Sequence, residues 1–410
     1  VDQRSIAFLS TKLACSLLPS GSEEAASAHP RYQAEKSKLD NSSSLHASGM
    51  ALSEHETKIY DRQLRLWGVG GQQRIKESHL LVIGLTAVNL EACKNLILAG
   101  VKVTLWDNRA AQEEDLGYNY FLRQDDINQQ KRLDVASQPR LQELNPLSTV
   151  ALYRGAGCDD SPWCLFEDGP AVDWQKFLEP YTIVCVANEL VALQALVPLD
   201  EACRQFDKGF FATLCCGKLA FFVFDLKTLF IEKVTTFDES EKPKKTDKTN
   251  TATANFPPIA HTIKCKLGSL KRRSSSLFPA YLLLARWQAT HGTHNRERGE
   301  IGNASTRVAE CDNFVAFAKE TLREEGGKDV DDDLLRRVYR AFGIPLISVA
   351  AVVGGLVAQE VMKSILKERI PFVNVVAFDS DTTTAYYQCI PHSQSAVIEH
   401  TVTTDAAMRT

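Results

Sequence analysis

Residues 79–107 read HLLVIGLTAVNLEACKNLILAGVKVTLWD, and their order of residue types decides the fold class. His79–Ile83 is a short, branched, apolar run of strand character, and Gly84 opens a turn behind it. Leu90–Leu98 has helical spacing and Gly100 closes it, since glycine takes the left-handed cap at little cost. Val101–Trp106 is a second strand ending in Asp107. Strand, glycine turn, helix, strand and acidic end within about 30 residues make a βαβ unit with parallel strands.

The same grammar recurs downstream. Tyr181–Ala187 predicts a buried strand, Glu189–Phe206 a helix and Phe210–Cys216 another strand. Leu219–Asp225, after Gly217-Lys218, alternates weakly and pairs with its predecessor as a hairpin. The expected class is α/β, a largely parallel sheet with helices on both faces. Asp238–Thr253 is charged and reads as a linker. It contains the basic cluster 242–245, and a second cluster follows at 271–273. Each reads as a nuclear-localisation signal, a phosphorylation target or solvated loop charge. Leu277–Ala289, Val308–Glu325 and Asp332–Phe342 have helical spacing, so 235–342 is expected to be a mostly helical insertion. Ile347–Ile365 is an apolar helix rich in small residues, and Phe372–Asp379 is expected to be the last strand. Upstream, Glu54–Gly71 predicts a helix ended by Gly70-Gly71. The divisions are therefore 1–49, a disordered extension or gene-model artefact; 50–234, the first part of the α/β fold; 235–342, linker and insertion; 343–392, the return to the α/β fold; and 393–410, a tail.

Composition narrows the functional classes. The 410 residues are 44% apolar and 24% charged, with a net charge of −4 that predicts no general affinity for nucleic acid or anionic membrane. The 11 cysteines include no Cys-x-x-Cys pair, which removes the usual zinc and thioredoxin-like signatures and favours a reducing compartment. No run of 18 uninterrupted apolar residues occurs, so no transmembrane helix is expected. Ser5–Leu18 lacks the charged lead and small-residue cleavage site of a targeting sequence.

Ahead of the first strand, Tyr60–Gly68 reads Tyr-Asp-Arg-Gln-Leu-Arg-Leu-Trp-Gly. Arg62 and Arg65 are three residues apart and share a helix face. Such a segment anchors its aromatic side while offering guanidinium groups to a carboxylate or phosphate; the alternative is an amphipathic helix with solvated arginines.

Tyr60–Gly68, the run Lys94–Gly100 and the run Gly354–Glu360 (Gly-Gly-Leu-Val-Ala-Gln-Glu) together resemble the activating enzymes of ubiquitin-like proteins, and most nearly the small, non-thioester subunits of the SUMO-activating type. The resemblance covers 52–392 and implies a Rossmann-like, ThiF-type adenylation fold. In that family an active and a degenerate fold pair. The active half binds ATP and Mg2+, the modifier's C-terminal carboxylate attacks the α-phosphate, and a cysteine on the active partner takes the acyl group. Against the active pattern, only Gly84 of the glycine turn is retained, with Thr86, Ala87 and Asn89 where little or no side chain is wanted. Asp115–Tyr118 stands where the active half has an asparagine–arginine cluster, and Asn188 stands for a metal-side aspartate. Lys131 or Arg132 takes the place of the nucleotide-contacting lysine. Four changes together imply a fold that does not bind ATP productively. Asp107 could be a ribose ligand, but behind a degraded turn a capping or ion-pairing role is favoured. Cys215 and Cys216 are candidate thioester nucleophiles by reactivity, yet fall in a predicted buried strand and read as core.

The resemblance implies a required subunit of a heterodimeric SUMO-activating enzyme, inactive alone. It would have no cofactor or metal of its own, with ATP and Mg2+ held by the partner. Arg62 would reach in trans to the partner's ATP, with Arg65 supporting. The partners implied are the catalytic, thioester-forming subunit and the modifier SUMO, with neither nucleic acid nor membrane. The implied location is the nucleus, with the cytoplasm also open. Alternatives are the regulatory subunit of the Nedd-type enzyme, whose insertion before Gly354 would be much longer, and a self-sufficient homodimeric adenylyltransferase, which needs an intact glycine turn. An NAD-dependent oxidoreductase rests on the βαβ unit alone, and a pure scaffold leaves the two arginines without a role.

Overall fold

A computed structural model describes residues 52–155, 161–166, 172–231, 249–270, 274–291, 304–390 and 399–403. The 1–49 extension, both basic clusters and most of the 393–410 tail lie outside these residues. Cα packing divides the chain into two units, Val1–Arg74 and Ile75–Thr410.

In the first unit, α1 (Glu54–Ile59) starts on a capping box: the Glu56 amide donates to Ser53 Oγ and the Ser53 amide to Glu56 Oε2. Tyr60 ends it, and α2 spans Asp61–Glu77, past the unit boundary. The single helix expected to stop at Gly70-Gly71 is therefore two, and the second runs through those glycines. The break comes instead at Gly68, whose φ of 70° lies in the left-handed region that glycine occupies without a Cβ clash.

The second unit is built on β1 (His79–Ile83), α3 (Ala87–Ala99) and β2 (Lys102–Trp106). There follow α4 (Gln124–Asn128), α5 (Leu133–Gln142), β3 (Val150–Leu152), α6 (Trp174–Leu178), β4 (Ile183–Ala187), α7 (Val197–Gln205), β5 (Gly209–Cys216) and β6 (Leu219–Asp225). After β7 (Thr228–Ile231) and β8 (Thr249–Asn255) come α8 (Ile259–Lys264), α9 (Leu277–His291), α10 (Ala304–Glu324), α11 (Asp332–Arg340) and α12 (Ile347–Leu366). The last elements are β9 (Val375–Asp379), β10 (Thr384–Gln388) and β11 (Glu399–Thr403).

Eight strands form one sheet in the order β10-β9-β6-β5-β4-β1-β2-β3. Pairing is parallel from β3 to β5 and antiparallel from β5 through β6 and β9 to β10. The chain moves from β1 outward to β2 and β3, then returns to place β4 on the other side of β1. That reversal leaves a crevice beyond the carboxyl ends of β1 and β4. Strands β4, β5 and β6 are buried along their whole length, because both faces of the sheet are covered and polar alternation would place side chains in a core. Leu214 belongs to a core with Tyr281 and Phe314 of α9 and α10, whereas the adjacent Thr213 bonds Asn89 of α3. Successive side chains of a strand point to opposite faces, so α9 and α3 cover opposite sides.

Some expected elements differ. The stretch Glu189–Phe206 is a 3-10 turn (Leu193–Leu196) followed by α7, which starts where Pro198 fits the first helical turn. Thr249–Thr253, expected as linker, pairs in β8 within a three-stranded sheet β11-β8-β7, as its threonines favour. The strand ending at Asp379 is not the last, since β10 folds back antiparallel on it. Among the described residues α12 is the one helix long and apolar enough to cross a membrane. It is a core helix here: over half of its length is buried, and its Glu360 is fully buried and ion-paired with Lys363 at 2.6 Å.

One buried cluster makes stability depend on pH. Asp200 and Asp225 are both buried, and one cation, Arg204, bonds Asp225 at 2.6 Å, while Asp200 Oδ2 accepts the Ile259 amide at 2.8 Å. Burial, reinforced by the Asp225 charge, pushes the Asp200 carboxyl up to about 8. A raised carboxyl stabilises fully below its unfolded value of about 3.9 and loses that contribution as pH climbs toward 8. Asp200→Asn keeps an acceptor for the Ile259 amide without charge. It is expected to add about 2 kcal/mol at pH 8 and nothing at pH 4. Thermal melts across that range check it, and parallel pH curves for the two proteins would refute it.

Candidate functional site

The crevice at the β1/β4 reversal is lined by the turns after β1, β2 and β4. Gly84 has φ 85°, and a Cβ there would stand 2.8 Å from both Ala187 Cβ and Leu190 Cδ1. Packing against the β4 end therefore suffices to demand glycine. The Thr86 hydroxyl, at the start of α3, is buried and caps nothing. Asn89 points inward: Nδ2 donates to Gly84 O at 2.9 Å, and Oδ1 accepts from Thr213 Oγ1 at 2.7 Å and Cys185 Sγ at 3.2 Å. The residue that spoils the glycine pattern thus braces the turn against β4 and β5.

Asp107, at the end of β2, is fully buried and saturated. Its Oδ2 accepts the Leu85 amide at 2.7 Å and Arg109 Nη2 at 2.5 Å, and its Oδ1 accepts Arg109 Nε at 2.8 Å and the Arg109 amide at 3.2 Å. Burial raises the Asp107 carboxyl, but the Arg109 charge and hydrogen bonds outweigh it and hold the group below the usual range. Asn188 is also used internally, donating to Val191 O at 2.8 Å and accepting from Tyr281 Oη at 3.3 Å. Lys131 pairs with Asp126 at 2.9 Å and Arg132 with Asp134 at 2.8 Å. Asp115 accepts Tyr118 Oη and the Gln112 amide.

Sequence reading missed two residues here. Arg109 was visible as an arginine two positions beyond the strand-end acid. Glu189 had no local signal. Its Oε1 accepts the Cys215 amide at 2.8 Å, while Oε2 and the nearby Thr86 hydroxyl are both buried without a hydrogen-bond partner. Burial raises this carboxyl to about 7. An acid beside the start of α3 opposes an anion at the place where a helix N-terminus would otherwise attract one. Cys215 and Cys216 are buried in β5, and burial raises the Cys215 thiol to about 11 and Cys216 well above its ordinary value, which removes thiolate reactivity. The residues present do not fit a nucleotide: the acid is saturated, the turn is braced, and the Glu189 carboxyl lies beside the start of α3.

The other predicted site residues lie in the first unit, on α2. Arg62 and Arg65 are both exposed, and Arg65 pairs with Asp61 at 2.6 Å one turn back. Trp67 Nε1 donates to Gln72 Oε1 at 3.1 Å across the Gly68 break, and Leu66 is 74% exposed.

A Rossmann-like sheet with its crevice at this reversal, preceded in sequence by the Tyr60–Gly68 segment, defines a class of adenylation folds. The model of the ThiF family matches residues 60–395, and the chain belongs to that family. Among curated relatives it is similar to SUMO-activating enzyme subunit 1A of Arabidopsis thaliana, 28% identical over 345 residues, covering 81% of this chain and 95% of that protein. It is 27% identical to SUMO-activating enzyme subunit 1 of Dictyostelium discoideum over 336 residues (81% and 92% covered). With SUMO-activating enzyme subunit 1 of Homo sapiens it shares 26% over 365 residues (84% and 97% covered).

Proposed function

We propose that this chain is the required, non-thioester subunit of a heterodimeric SUMO-activating enzyme and works in the nucleus. The carrying observation is likeness along nearly the full length of three relatives bearing that subunit's name. The saturated Asp107 and the Glu189 carboxyl support the division of labour, because they leave this chain's crevice without a place for ribose or phosphate. ATP and Mg2+ would be held by the thioester-forming partner, where the modifier's terminal carboxylate is adenylated. This chain contributes Arg62, exposed on α2 and able to meet phosphate charge with a planar fork of donors. Arg65, tied to Asp61, keeps α2 in register rather than meeting the phosphates directly.

The test is reconstitution with a SUMO-type thioester subunit, ATP, Mg2+ and SUMO. Thioester should form only when this chain is present, and a Nedd-type modifier with its own thioester subunit should not be charged. Equal thioester formation without the chain would sink the reading.

A further inference from the structure

A carboxylate has about four lone-pair sites, and an acid at the end of the second strand of such a fold ordinarily gives them to ribose hydroxyls. In Asp107 all four are taken by donors of this same chain: the Leu85 amide, the Arg109 amide, and Arg109 Nε and Nη2. The two side-chain bonds are parallel and charge-assisted, about twice as strong as bonds from neutral hydroxyls. The Arg109 side chain is 19% exposed and Asp107 fully buried, so the pair closes over the carboxyl end of β2. The Asp115 carboxylate adds a smaller attraction to the guanidinium.

We infer that Arg109 is an in-cis occupant of the ribose position, a plug that keeps nucleosides and nucleotides out of this chain's own crevice, with Glu189 as a second barrier against phosphate. Neither the identity of the modifier nor the role of Arg62 enters into this. The two barriers are separable by ligand chemistry. Adenosine carries ribose hydroxyls and no phosphate, so Arg109 alone should decide its binding. ATP must also pass Glu189.

The experiment is calorimetric titration of the full chain with adenosine and with ATP·Mg. The native chain should bind neither at millimolar concentration. Arg109→Ala should bind adenosine at least tenfold more tightly and still exclude ATP, and Arg109→Ala with Glu189→Gln should admit both. Arg109→Gln leaves Asp107 one side-chain donor and carries the same test should the alanine variant fail to fold. The plug is overturned if the native chain binds adenosine as tightly as the Arg109 variants do. It is equally overturned if the variants melt like the native chain yet bind neither ligand.

Discussion

Replacing Arg62 by alanine is expected to lower modifier adenylation by the heterodimer about 100-fold, the cost typical of removing one preorganised donor from a developing charge. The side chain is exposed on α2 within the first unit, so its loss empties no core and assembly should be unchanged. Arg62→Lys should recover little, because an ammonium cannot reproduce a two-pronged grip on phosphate oxygens. Arg65→Ala should cost less, since its guanidinium is engaged by Asp61 at 2.6 Å and its effect passes through the helix. ATP–pyrophosphate exchange measures each variant, with co-purification as the assembly control. Exchange at the native rate in Arg62→Ala would remove the trans role.

The second large effect separates two adjacent glycines of α12. A Cβ at Gly354 would stand 2.5 Å from Glu91 Cβ and 2.9 Å from the backbone atoms Ala92 N and Val88 O of α3. Backbone cannot rotate away, so Gly354→Ala must push the two helices apart. The expected loss is about 3 kcal/mol, the upper range for overpacking. A Cβ at Gly355 meets nothing within 4 Å, and Gly355→Ala should be neutral or gain up to about 1 kcal/mol from helix propensity. Denaturant titration of both variants of this chain reads the difference directly, and equal midpoints would refute the close approach.

Local chemistry made much of the fold legible. The continuous apolar runs of β4 to β6 signal strands covered on both faces, and Gly100, with φ 104°, is the left-handed cap its position after Ala99 requires. The departures came where local preference competes with packing. Gly68 breaks a helix that Gly70 and Gly71 continue, and Thr249–Thr253 pair as a strand despite a charged approach.

At the candidate site the sequence alone determined the first βαβ unit, the degraded glycine turn and the pairing of two arginines on one helix face, because short-range sterics and the alternation of polar and apolar residues encode them. Only the tertiary structure decided what fills the crevice. Asn89 is a brace because Thr213, 124 positions away, offers it a hydroxyl, and Glu189 enters the crevice because the Cys215 amide holds it there. Gly354 is indispensable and Gly355 is not, because α3 passes one and misses the other. Each of these properties belongs to a pair of distant residues, and the periodicity of a single chain names neither partner.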